Sequence, residues 1–89
     1  MLLSIVSYVR PLFFRYAYSI SCSRHRCILY FRKTRKHESF RIDLTLQNNG
    51  AIDFYYETIG FTESTTRYSK ESAINLLTHY IKASLNLYH

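Results

Sequence analysis

Cys22, His25 and Cys27, with His37 further on, are the side chains whose types come closest to a metal-ligand set. Structural zinc draws four ligands onto a tetrahedron and takes two compact pairs, such as Cys-x2-4-Cys followed by His-x3-5-His. Here Cys22, His25 and Cys27 are irregularly spaced, no second compact pair follows, and Arg24 and Arg26 within the turn oppose a cation. No metal is expected. The simpler reading is two strand-end cysteines flanking a turn over 23–26. A Cys22–Cys27 disulfide across that turn is sterically open, but it is not expected in a reducing cytosol.

Nucleophilic catalysis needs an activated Ser or Cys beside a base that a third group orients. Serines and histidines are plentiful, yet no Gly-x-Ser-x-Gly elbow occurs, and His79 falls beside Thr78 near the polar side of a helix. Asp43, Asp53 and Glu57 can share one face of a hairpin, as paired carboxylates do in acid–base work. A cross-strand pair between Arg41 and Glu57 explains that face more simply. Gly50 and Gly60 stand alone, so no Gly-rich loop cradles a phosphate. No catalytic residue, no cofactor and no enzymatic activity are expected.

The basic residues carry more. Residues 1–37 hold eight Arg and Lys and no acid, while 38–89 hold four against six acids; the halves are +8 and −2, and the chain is +6. Arg24, Arg26, Arg32, Lys33, Arg35 and Lys36 bracket Tyr30-Phe31. Such a cluster neutralises phosphates and releases their counterions, giving affinity without base reading. An exposed Tyr30 could stack on a base, whereas at least one of Tyr30 and Phe31 belongs in a core. These seven residues, Tyr30 included, are the expected contact set, with a nucleic acid or a ribonucleoprotein as partner.

Two rival readings stand beside that one. The richness in Tyr, Phe, Ile, Asn and Ser, with two Gly and no Trp, suits an AT-rich gene of a phage, a mobile element or an organelle. A viral or phage inhibitor or adaptor docking on a host nucleic-acid-handling protein would use the same small Tyr-rich surface. A subunit of a larger assembly would bury its apolar residues 1–13 against a neighbour.

The elements that must position these side chains follow from periodicity. Ser69 is a good N-cap, and Ile74, Leu77, Ile81 and Leu85 recur at helical spacing, predicting an amphipathic helix over about 69–86. Phe40, Ile42, Leu44 and Leu46 alternate with Arg41, Asp43, Thr45 and Gln47, and Ile52, Phe54, Tyr56 and Thr58 resume the pattern. A two-residue Asn49-Gly50 loop would set Leu46 against Asp53. A three-residue loop over 48–50, with Gly50 at positive φ, pairs Leu46 with Ile52, Leu44 with Phe54 and Ile42 with Tyr56, and is the expected register. Residues 27–31 read as a central strand. Residues 14–22 read as a strand by alternation, with a helix as the rival. Residues 2–9 fit a strand or a helical turn, and 61–67 fit a bent continuation of the preceding strand or a loop.

The sum is a single α+β domain over 1–89: a small antiparallel β-meander of three to four strands against one C-terminal amphipathic helix, with 1–13 an apolar segment of unassigned structure. In element order, strands 27–33, 40–47 and 51–58 with the helix after Ser69-Lys70 resemble the double-stranded RNA-binding domain. That likeness requires 14–22 not to be a strand, and Glu71 stands in the first helical turn where that family has a basic cluster. The signature of an RNA-recognition motif is absent. Arg10, Pro11 and Arg15 interrupt the apolar start, so no transmembrane segment of about 20 residues forms. The expected location is the cytoplasm (the host's, if viral), with an organelle as the alternative suggested by the acid-free, Arg- and Ser-bearing start.

Overall fold

A computed structural model describes residues 1–88. The chain is α+β. In order it forms α1 (Leu2–Val9), a 3-10 turn (Arg10–Leu12), β1 (Tyr18–Cys22), β2 (Arg26–Phe31), β3 (Phe40–Leu46), β4 (Ile52–Thr58), β5 (Phe61–Arg67) and α2 (Lys70–Ser84). The five strands make one antiparallel sheet in chain order, β1-β2-β3-β4-β5. Both helices cover the same sheet face, and α1 packs against α2 and over β2 and β3.

The β3–β4 hairpin adopts the expected register. Leu46 faces Ile52, Leu44 faces Phe54, Ile42 faces Tyr56 and Arg41 faces Glu57. Gly50 takes φ +88°, a conformation open to a residue without Cβ, and lets three residues reverse the chain. Alternation then sends Ile42, Leu44, Ile52 and Phe54 under the helices and Arg41, Asp43, Asp53 and Glu57 to the open face. α2 starts where expected, with Ser69 Oγ accepting from Ser72 N–H. Its end is closed by Asn86 in the left-handed region: Leu87 N–H donates to the Lys82 carbonyl and Asn86 N–H to that of Ala83.

The sheet has five strands where three to four were expected. Residues 61–67 are a full strand, because the Ile59-Gly60 turn, with Gly60 at φ +72°, folds it back along β4. Strand β1 covers only 18–22, not 14–22. Phe13 is fully buried and sets its ring edge against Tyr18 and Phe31, so the chain turns a corner there and leaves Phe14 half exposed. Five strands with a helix at each end depart from the order of a double-stranded RNA-binding domain, and that likeness is withdrawn.

Residues 2–9 are a helix. Leu2, Ile5, Val6 and Val9 recur three and four apart and are buried, and Pro11 sits in the first turn of the 3-10 segment, where its missing N–H has no cost. The apolar start thus packs inside this chain's own core, which runs as one buried cluster from Leu2 to Leu85. Among the described residues, no helix is long and apolar enough to cross a membrane.

Candidate nucleic-acid interface

Strand β2 separates the expected contact residues. Arg24 lies in the β1–β2 turn and Arg26 at the start of β2, while Arg32, Lys33, Arg35 and Lys36 lie in the loop after its end. Six residues of extended chain put Arg26 and Arg32 about 20 Å apart, so the six cations form two groups at opposite ends of the sheet rather than one patch.

At the β1–β2 turn the positive charge is partly engaged. Arg26 Nη2 lies 2.5 Å from Asp43 Oδ2 and its Nε donates to Oδ1 at 3.0 Å; Arg41 Nη2 reaches the same Oδ2 at 3.2 Å. The hydrogen bond from Arg26, with that from Arg41 and the charges of both, holds the Asp43 carboxyl below the ordinary carboxylate range against its desolvation. The same carboxylate raises the Arg26 guanidinium. Arg41 therefore pairs along its own strand with Asp43 and not across to Glu57, which instead accepts from Tyr55 Oη at 3.4 Å. Arg41 and Glu57 are backbone partners all the same.

This turn also corrects the cysteine reading. Ser23 N–H donates to the Arg26 carbonyl, and the two-residue Arg24-His25 turn sets Cys22 directly opposite Cys27 with Cα atoms 4.1 Å apart. The two cysteines are joined in a disulfide. A non-hydrogen-bonded pair of facing residues brings side chains closest, so the strand register holds the two sulfurs within bonding reach.

The opposite end of the sheet gathers the larger group. Arg32 N–H donates to the Ala17 carbonyl, which brings the bend carrying Arg15 beside the β2–β3 loop. Asn86, just past α2, donates to the Lys36 carbonyl at 2.5 Å. Within the loop, Thr34 N–H donates to the His37 carbonyl and Lys36 N–H to Thr34 Oγ1, a compact turn with its cations outward. His37 roots it: the ring is buried against Tyr16 and Phe40, with Nδ1 2.9 Å from the Glu38 carbonyl. Among the described residues, the one salt bridge made by Arg15, Arg32, Lys33, Arg35 or Lys36 joins Lys33 to Glu38 at 3.1 Å.

An aromatic row stiffens this end from the helix side. Phe31 stacks on Phe40 with centroids 4.4 Å apart, and Tyr18 and Tyr56 continue the row on either side. Phe31 is therefore core, while Tyr30 projects to the open face, 43% exposed, beside Arg41. Arg15 and Arg10 belong to this end but were not singled out from the sequence. The signal was the acid-free stretch itself; the corner at Phe13 that folds it back was not readable. Arg10 is engaged in part, its Nε donating to Tyr18 Oη at 3.2 Å.

The carboxylates of the open face are engaged with neighbours. Asp53 accepts from Thr66 Oγ1 at 2.7 Å and from Gln47 Nε2, alongside the Asp43 and Glu57 contacts already described. On the helix side, Tyr80 Oη donates to Glu63 Oε2 at 2.5 Å, and burial with that bond pushes its hydroxyl up to about 12. No protein-family model, curated protein or solved structure matches this chain.

Proposed function

We propose that this chain is a non-catalytic binding module that holds a nucleic acid, free or within a ribonucleoprotein, at the basic end of its sheet. The observation that carries this reading is the convergence of Arg15, Arg32, Lys33, Arg35 and Lys36 around the root formed by His37, with one carboxylate among them. Four cations on a braced loop, with Arg15 on the bend beside it, can meet phosphates with little ordering of the backbone. Tyr30, on the adjacent open face, is placed to stack on an unpaired base. Arg24 and Arg26 leave the contact set, because they lie at the far end.

Fluorescence anisotropy with labelled single- and double-stranded oligonucleotides tests it. Four or five phosphate contacts imply a loss of affinity of roughly a hundredfold or more between 50 and 200 mM salt. Replacing Arg32, Lys33, Arg35 and Lys36 together by alanine should abolish that response. Binding that ignores both salt and these substitutions sinks the reading. A stoichiometric protein partner retained after nuclease treatment would replace it with the host-protein adaptor. In a cytoplasmic protein glutathione keeps thiols reduced, so the state of Cys22 and Cys27 in cells, read by alkylation and mass, reports the compartment.

A further inference from the structure

β5 is an edge strand with one side unpaired. Gln47 N–H donates to the Ala51 carbonyl, so by alternation Asp53, Tyr55 and Glu57 bond to β3, while Ile52, Phe54, Tyr56 and Thr58 bond to β5. Phe61, Glu63, Thr65 and Arg67 answer them, and the N–H and C=O groups of Thr62, Ser64 and Thr66 point outward from the sheet. Of the devices that usually blunt such an edge, β5 has no Lys, no Pro and no bulge in its register with β4; its two charges, Glu63 and Arg67, lie on the helix side.

We infer that this edge pairs with the same edge of a second copy, antiparallel about a two-fold axis at Thr65, joining two sheets into one of ten strands. The register follows from charge. β5 carries one acid and one base, Glu63 and Arg67, both directed to the helix side. A two-fold at Thr65 sets Glu63 of each copy opposite Arg67 of the other, in the non-hydrogen-bonded pairs where side chains lie closest. It also sets Ser64 against Thr66, so outward backbone groups meet outward backbone groups. A two-fold at Ser64 satisfies the backbone equally but wastes the charges, placing Glu63 against Thr65 and Phe61 against Arg67.

Three further observations fit the register. Thr62 falls opposite Tyr68, which at 80% exposure is the most exposed of the large apolar side chains. Tyr80 holds Glu63 by Oε2, fixing the carboxylate with Oε1 still open to a guanidinium. Arg67 Nη1 now donates to the outward Thr66 carbonyl at 3.2 Å, a contact it exchanges for Glu63 when Ser64 N–H of the second copy takes that carbonyl. β1, the other edge, is shorter and has no charged residue with which to set a register.

Sedimentation velocity on the full chain, from low micromolar to submillimolar concentration, tests this. Wild type is expected to pass from monomer to dimer. Glu63→Arg alone and Arg67→Glu alone each set like charges across the axis and should weaken the dimer about tenfold or more. An equimolar mixture of the two variants restores both opposite-charge pairs and should form a heterodimer close to wild-type affinity. Circular dichroism of each variant checks that it folds, and the double variant E63R/R67E, complementary to itself, repeats the test in one chain. A wild type that stays monomeric overturns the inference. So does a dimer indifferent to either substitution, or a mixture that is not rescued.

Discussion

Asp43 holds Arg26 across neighbouring strands, with Nη2 2.5 Å from Oδ2 and Nε 3.0 Å from Oδ1. The guanidinium engages both carboxylate oxygens, and the carboxylate is nearly buried beneath it. Because the folded-state pKa of Asp43 is depressed, its contribution to stability is complete above the ordinary carboxylate value of about 4 and disappears as pH falls through the lower folded value. Guanidinium unfolding midpoints measured down to about pH 2 should show this loss. Asp43→Asn should cost about 1–3 kcal/mol at neutral pH and flatten the acid limb. A variant that keeps the wild-type limb would contradict the assignment.

The two cationic groups should behave differently towards polynucleotide. Arg35→Ala with Lys36→Ala is expected to reduce the slope of log affinity against log salt by about 2. Arg24→Ala, at the far end of β2, should leave the slope near its parent value. Equal effects from both would mean that the ligand spans the whole sheet.

Reduction of Cys22–Cys27 should lower stability by about 2 kcal/mol, the scale for a short closed loop. The far-ultraviolet spectrum should persist, because β2 remains paired with β3 along its other side. Urea melts with and without reductant make the comparison, with Cys22→Ser as the chemical control. A reduced form that loses its strand signal would show that the bond, not the sheet, orders β1 and β2.

Gly50→Ala should cost about 1–2 kcal/mol, the penalty of a left-handed backbone for a residue with Cβ. An added Cβ meets nothing within 4 Å, so the cost is conformational and Gly50→Asn should recover part of it. Equal losses for the two variants in thermal melts would point to a contact instead.

In α1, Ile5→Ala should cost about 2–5 kcal/mol, while Leu3→Ala, on the exposed side, should change little. Equal, small effects in urea titrations would mean that α1 does not belong to the core.

The β3–β4 hairpin and α2 were legible in the sequence because each satisfies two rules at once. Alternation and the Gly50 turn fix one register, and the Ser69 cap and the Leu77–Ile81 stripe fix one helix. β5 was obscured because Phe61–Arg67 has almost no apolar alternation; it is a strand because β4 offers it a bonded edge, a tertiary cause. Residues 14–22 misled by alternating through a bend, where Phe13 is the buried anchor and Phe14 is not. For the candidate site, sequence supplied the cations but not their separation, since a strand of six residues looks short in a string and is about 20 Å long in space.

The meander lays its strands side by side in the order in which they are synthesised. Every hairpin can close on its own few residues, a topology that favours rapid acquisition of structure. α1 is the exception: it is made first, yet α2, one of the elements that covers it, is made last. A ribosome-bound chain therefore displays Leu2, Ile5, Val6 and Val9 incompletely shielded until the final helix emerges, and that interval is when this protein is most open to capture by a chaperone or to clumping with its neighbours.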